Sequence, residues 1–277
     1  MTHTRTTEVV DQILRSGYAT ISLVSNEAQL TQQVIEKASE FFRLPINQKL
    51  GARASDNNHG YRTIGLEYSQ VSTRPDLNES FSIWGFHKPE ALAPNAATLA
   101  RSLQSWHLEL APLVEEVLLA LRHKLFPTGQ SDSISSIESS YAQINHYGPI
   151  DAQIDRPFLQ DTHEDGHLIT LLTTEQAGLE VSRSDEGPFQ PITPGLDFLL
   201  IMPGSALTAV SGGAISPLYH RVRNLKLRSR YSLMYFANPS LLRPVYGWSQ
   251  IDEAGVDLGP AIAAKPNQFG LPEVPRA

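Results

Sequence analysis

The chain contains no cysteine. Disulfides, thiolate zinc sites, iron–sulfur clusters, haem-thiolate centres and cysteine nucleophiles are therefore excluded together. A metal held by this protein must be held through nitrogen and oxygen, a donor set that suits iron(II), manganese or zinc better than copper(I). Positive charge is also scarce. The formal net charge is −7 and no long basic run interrupts it, whereas nucleic-acid binding draws on clustered Lys and Arg. Long apolar runs are missing too: nothing approaches the roughly 18 residues of a spanning helix. The most apolar stretch, Phe198 to Met202, is strand-sized and stops at Pro203-Gly204. Met1 to Val10 is polar and lacks the apolar segment of a secretory signal. The expectation is a soluble, cytoplasmic protein with no nucleic-acid or membrane partner, and a monomer is favoured.

With 277 residues, 41% apolar and 18% charged, the chain can bury a full-sized globular core. Its texture changes along its length. Gly17 to Leu23 reads as a short strand. Leu30, Val34, Ala38 and Phe41 then recur at helical spacing, with Ile35 and Phe42 widening the stripe, and Pro45 predicts a stop near Leu44. A longer helix is predicted from about Ala96 to Phe126, its face marked by Leu99, Leu103, Trp106, Leu110, Leu113, Val117, Leu121 and Leu125. From about Ser140 onward short strands bounded by Gly or Pro take over: Ala142 to Tyr147, His163 to Thr173, Leu179 to Val181, Leu196 to Ile201 and Arg230 to Ala237. The predicted architecture is mainly β with flanking helices, a sandwich or jelly roll. We read one domain, 1–277, with a mainly helical portion over 1–135 and the β core over 136–277.

The chemistry concentrates in a few positions. On a strand His163 and Asp165 project to one face and Glu164 to the other, so an imidazole and a carboxylate form two legs of a facial metal triad. The pattern alone is weak. Nine His and 29 acidic residues yield on the order of one His-x-(Asp/Glu) by chance, and a second occurs in His107-Leu108-Glu109. That one falls in the long helix, where i and i+2 do not face each other. Asp161, His163, Asp165 and His167 all alternate onto one face if the strand is unbroken, so Asp161 and His167 are also possible ligands by pattern. A solvated edge strand is the plain alternative for so polar a face. A third leg is available in His220, 55 residues after Asp165. Arg230 and Ser232 again stand i and i+2, offering a guanidinium and a hydroxyl to an organic acid. A structural Arg–Asp pair is the plain alternative there. Asn145 and Tyr147 place an amide and a phenol on one face of their strand.

Together these residues resemble the iron(II)/2-oxoglutarate-dependent dioxygenases, closest to the isopenicillin N synthase-like branch. The likeness runs over most of the chain: Phe41-Phe42-Arg43-Leu44-Pro45, Gly60 to Glu67, Asp76 to Phe81, Asn145-His146-Tyr147, Thr162 to Leu172, Gly178 to Val181, and His220-Arg221-Val222 with Arg230 ten residues later. Phe158-Leu159-Gln160-Asp161 departs from the apolar-small run more usual before the ligand strand, and Met202 to Ser205 stands where Gly-Asp is usual. The resemblance implies a double-stranded β-helix (jelly roll) core. It implies iron(II) ligated by His163, Asp165 and His220, and 2-oxoglutarate bound by Arg230 and Ser232 with Tyr147 and Asn145 beside them. Dioxygen would be the oxidant, with ascorbate as an auxiliary reductant. The implied reaction is hydroxylation, desaturation or oxidative cyclisation of a small polar metabolite in a biosynthetic pathway, releasing succinate and CO2. Asp165, in place of a small residue, argues against halogenation.

Substrate-binding candidates are Tyr61, Arg62, Glu79 and Phe81, drawn from segments Asn58 to Arg62 and Glu79 to Phe81, with Arg74 a further cation for a substrate carboxylate. The plain alternative is that Glu79 lies in an ion pair within the helical layer and Tyr61 in the core. Three other readings differ in class: an isopenicillin N synthase-like iron oxidase that does not use 2-oxoglutarate, a non-catalytic jelly-roll binding protein, and a zinc hydrolase lacking an obvious general base.

Overall fold

The computed structural model describes residues 2–53, 59–85, 92–127, 134–149, 155–193, 195–240, 245–248, 256–264 and 266–269. Its core is two antiparallel sheets. The larger takes β1 (Ala19–Ser22), β2 (Gly60–Arg62), β3 (Glu79–Trp84), β4 (Tyr141–Tyr147), β6 (Ile169–Thr174), β9 (Gly195–Pro203) and β11 (Arg230–Ala237) in the order β1-β9-β6-β11-β4-β3-β2. The smaller takes β5 (Phe158–Glu164), β7 (Leu179–Ser182), β8 (Gln190–Pro191) and β10 (Tyr219–Arg223) in the order β5-β10-β7-β8. This is the expected jelly roll. Three of the seven strands come from the portion read as mainly helical, so that portion completes the large sheet as well as covering it.

The outer face of the large sheet is covered by helices. α1 (Thr2–Ser16) buries Val9, Val10 and Ile13; the sequence reading assigned no element there. α2 (Ser25–Phe42) buries the expected Val34, Ile35, Ala38, Phe41 and Phe42. Its start is held by Glu27, which accepts the Val24 N–H at 3.0 Å and both ends of the Arg5 guanidinium at 2.8 and 2.7 Å. α3 (Ile46–Leu50) follows Pro45. α4 (Pro94–Leu125) packs on α1 and α2 through the predicted stripe and continues through Pro112. Trp106 Nε1 donates to Thr31 Oγ1 at 2.9 Å, and Thr31 Oγ1 donates to the Glu27 carbonyl at 2.8 Å, tying α4 to α2. Short helices α5 (Ser205–Val210) and α6 (Gly259–Ala264) complete the fold. Among the described residues no helix is long and apolar enough to cross a membrane.

Strand alternation divides the interior. In β11, Tyr231, Leu233, Tyr235 and Ala237 join the helix-side core, whereas Met234 and Phe236 join a second apolar cluster between the sheets with Trp84, Tyr141, Tyr147, Leu172 and Leu200. The expected single strand from His163 to Thr173 is two strands. β5 lies in the small sheet and β6 in the large one, and the chain crosses between them over 165–168. Asp161, His163, Asp165 and His167 therefore do not share one strand face.

One buried group in the helical layer makes the fold sensitive to acid. His107 on α4 is 2% exposed, with its ring edge-on to Tyr235 at 4.5 Å. Burial pushes it down from its ordinary 6.5 to about 4. Below pH 6.5 the unfolded chain takes up a proton at this position that the folded chain refuses until about pH 4, so stability falls across that window. The full loss from this group is about 3 kcal/mol. His107→Leu is expected to remove that part of the acid sensitivity in urea unfolding measured from pH 7.5 to 4.5. An unchanged pH slope would contradict this account.

Candidate active site

The inner faces of the two sheets line a cavity of about 100 Å³. His163, Asp165 and His220 meet on its wall, their ligating atoms within 4.8 Å of one another. β10 pairs with β5 so that His220 stands directly opposite His163, and the two rings lie 4.1 Å apart. Asp165 sits just past the end of β5, at the crossing between sheets, with Oδ1 3.9 Å from Nε2 of each histidine. Cross-strand pairing and a chain crossing build this cluster, not alternation along one strand.

Surrounding groups fix the orientation of these side chains. His163 Nδ1 lies 2.8 Å from the Asp161 carbonyl, which makes that nitrogen the donor and leaves Nε2 with its lone pair toward the cluster. Thr170 Oγ1 donates to Asp165 Oδ2 at 2.6 Å, turning Oδ1 toward the imidazoles. Burial pushes His220 down to about 4, reinforced by neighbouring His163 and opposed by Asp165 and the Leu218 carbonyl. Burial alone would raise Asp165, but His220, His167, His163 and the Thr170 hydroxyl hold it below the ordinary carboxylate range. A neutral imidazole beside an ionised carboxylate is the protonation state in which such groups ligate a metal.

Arg230 is 1% exposed. Nε donates to the Ala177 carbonyl at 3.1 Å and Nη1 to Ser232 Oγ at 2.6 Å. Nη2 is buried without a partner, and no acidic side chain among the described residues forms an ion pair with this guanidinium. Burial lowers its pKa, partly countered by Tyr147, whose ring lies 5.2 Å from the guanidinium carbon. Among the described residues the structural Arg–Asp pair held open above is absent. β11 pairs with β4 so that Arg230 stands opposite Tyr147 and Ser232 opposite Asn145. Ser232 and Asn145 line the cavity. Asn145 Oδ1 accepts from Gln143 Nε2 at 2.7 Å, and Tyr147 Oη donates to Gln160 Oε1 at 2.9 Å.

Arg62 lines the cavity, but its charge is already matched. It forms an ion pair with Glu67 at 2.8 Å and donates to Gln143 and to Ser80. The other three substrate candidates face the helical layer. Glu79 accepts from Lys49 and Tyr61 at 2.6 Å each and bonds His146 Nδ1 at 2.9 Å. Phe81 packs its ring on Phe41 at 5.0 Å. Tyr61, Glu79 and Phe81 are therefore core and ion-pair residues behind the cavity wall; for Tyr61 and Glu79 this is the plain alternative. Arg74 is paired with Asp161 at 2.9 Å, and Asn58 lies outside the described residues.

The sequence reading gave no role to several residues found at the cavity. Gln160 is brought beside His163 by a register irregularity in the β10–β5 pairing, and its Nε2 lies 3.4 Å from His163 Nε2. A metal occupying that lone pair would require this amide to turn away. Asp76 is buried against the cavity, its pKa pushed up to about 6 by burial, with His163 and the Ser69 hydroxyl acting against the rise. His167, considered as a ligand by pattern, lines the cavity but stands outside the His163–Asp165–His220 group.

Two facing antiparallel sheets with a two-histidine, one-carboxylate cluster between them define a jelly-roll protein of the facial-triad type. A profile of the 2OG-Fe(II) oxygenase superfamily matches residues 139–239, which hold β4 to β11 and the whole cluster. The chain is 25% identical over 215 residues to a 2-oxoglutarate-dependent dioxygenase of Gibberella zeae, covering 73% of this chain and 63% of the relative. It is 26% identical over 237 residues to gibberellin 20 oxidase 2 of Oryza sativa, covering 80% and 59%. It thus spans about three fifths of the length of these two relatives. Neurospora crassa T7H in complex with alpha-KG shares the fold, with a TM-score of 0.72 at 21% identity over 91% of this chain and 84% of that one. The match over 139–239 and these relatives agree with the family resemblance drawn from the sequence.

Proposed function

We propose that this chain is an iron(II)- and 2-oxoglutarate-dependent dioxygenase. In this reading His163, Asp165 and His220 hold the metal and Arg230 with Ser232 holds the distal carboxylate of 2-oxoglutarate. The observation that carries it is the unpartnered Nη2 of buried Arg230, on the same strand as cavity-lining Ser232. A buried guanidinium without a counter-charge is costly, and a dicarboxylic acid supplies the missing partner. The donor set fits iron(II): two imidazoles and a carboxylate leave about three positions open on an octahedral ion. Held there, iron(II) would supply the dioxygen chemistry that links oxidative decarboxylation of 2-oxoglutarate to oxidation of the substrate. The protein's own part is placement. Thr170 and the Asp161 carbonyl orient the ligands, Arg230 and Ser232 fix one end of the co-substrate, and the sheets exclude bulk water.

The substrate is then a small polar metabolite, oxidised by hydroxylation, desaturation or ring closure. The occurrence of biosynthetic dioxygenases such as gibberellin 20 oxidase 2 among the relatives supports a biosynthetic role. The test is dioxygen-dependent succinate release by protein reconstituted with iron(II). Succinate should form only with iron(II) and 2-oxoglutarate both present. Full-rate substrate oxidation without 2-oxoglutarate would instead establish the isopenicillin N synthase-like alternative.

A further inference from the structure

Two side chains on the cavity wall keep polar atoms that have no partner among the described residues, and neither belongs to the metal cluster or to the Arg230 pocket. Asp76 is 2% exposed; its Oδ2 accepts from Ser69 Oγ at 2.8 Å, and its Oδ1 has no partner. His167 is also 2% exposed, and both its ring nitrogens lack partners. The imidazole lies 4.5 Å from the ring of Phe236 and 5.4 Å from that of Tyr141. Leaving a buried polar group unpaired is costly, so three such atoms lining one cavity mark a surface that an incoming molecule would complete.

The charges around them say what kind of molecule. Arg62 is the one guanidinium among the described residues lining the cavity, and Glu67 and Gln143 already hold it. Arg230 is assigned to the co-substrate. Beyond Asp165, the lining carries three carboxylates, Glu67, Asp76 and Glu164. No lining cation is left to receive a second carboxylate, whereas Asp76 offers a free acceptor. An imidazole in its neutral form offers one donor and one acceptor.

We propose that Asp76 and His167 read the primary substrate, and that this substrate is a small molecule presenting N–H or O–H donors, such as an amine, amide or alcohol, and not a carboxylate. Asp76 Oδ1 takes a donor of the substrate. His167 takes a second polar group, and the rings of Tyr141 and Phe236 provide an apolar surface beside it.

The proposal rests on the placement of metal and 2-oxoglutarate given above, and the experiment separates the two. The full chain is loaded with zinc(II), a redox-inert stand-in, and with 2-oxoglutarate. It is then titrated calorimetrically with benzylamine, benzyl alcohol and benzoate, which share one ring and differ in the polar group. Both donor probes should bind at least about tenfold more tightly than benzoate, the size of one buried hydrogen bond. Asp76→Asn should weaken benzylamine by about tenfold or more and leave 2-oxoglutarate affinity unchanged. His167→Phe, which keeps the aromatic packing, should weaken both donor probes. Benzoate binding as tightly as benzylamine would overturn the proposal. So would failure of both donor probes to bind, or probe affinities unchanged in both variants. The ranking of probes on the unaltered protein stands even if a variant does not fold. Failure of the unaltered protein to bind 2-oxoglutarate would instead count against the functional reading itself.

Discussion

Arg230→Ala is expected to raise the 2-oxoglutarate concentration needed for half-maximal turnover by about two orders of magnitude. The estimate follows from removing one partner of a buried, charge-assisted interaction, a loss of about 3 kcal/mol. In the structure Nε and Nη1 are held by Ala177 and Ser232, which aims the guanidinium and leaves Nη2 for a ligand. Arg230→Lys keeps the charge without the planar fork and should recover only part of the affinity. Ser232→Ala removes one hydroxyl and the group that orients Nη1, so its effect should be several-fold at most. Metal content should be unchanged in all three variants, because none of these side chains reaches the cluster. Isothermal titration of metal-loaded protein with 2-oxoglutarate measures the effect directly. An unchanged affinity in Arg230→Ala would show that Arg230 is a packing residue, and the co-substrate assignment would fall with it.

Legibility in the sequence tracked how regular the backbone is. Arg230 and Ser232 were readable because β11 keeps unbroken register with β4 over 230–236 and with β6 over 232–237, so alternation transfers from sequence to space without error. The His163–Asp165–His220 group was legible as a pattern, but not through alternation along one strand. His163 lies on β5, but Asp165 lies beyond it, and the chain crossing between sheets brings the carboxylate to the histidines. Gln160 was not readable as a cavity residue, because the register irregularity between His220 and Val222 defeats a period of two. That Glu79 and Phe81 of β3, read as substrate-binding candidates, face the helical layer was not legible for a different reason. That strand is buried on both faces along its whole length, so hydrophobic alternation carries no information about which face meets the cavity. The polar residues of β3 compound the ambiguity: Ser80 bonds Glu67, a cavity residue, while Glu79 bonds Lys49 and His146 behind the sheet. Asp76 and His167 could be named from the sequence, but their unsatisfied atoms are a property of packing alone.

Removal of a metal ligand is expected to have the largest effect of all. The unaltered protein should bind one iron(II) per chain, and His163→Ala, Asp165→Ala and His220→Ala should each reduce metal content to near zero and abolish succinate release. The cluster draws its three groups from β5, the crossing after it and β10, and two remaining ligands cannot hold the ion against water. Thr170→Val tests the orientation of Asp165 separately. The carboxylate stays, but Oδ2 loses the hydroxyl that donates to it at 2.6 Å, and loss of such an outer partner typically weakens metal binding by about 10–100-fold. Thr170→Val should therefore retain iron at high metal concentration and lose it on dilution, unlike the three alanine variants, which lose it at any practical concentration. Stoichiometry by elemental analysis, with circular dichroism to confirm folding, separates these outcomes. Full iron content in all three alanine variants would place the metal elsewhere. Thr170→Val binding as tightly as the unaltered protein would show instead that the chain crossing between the sheets alone fixes the Asp165 carboxylate.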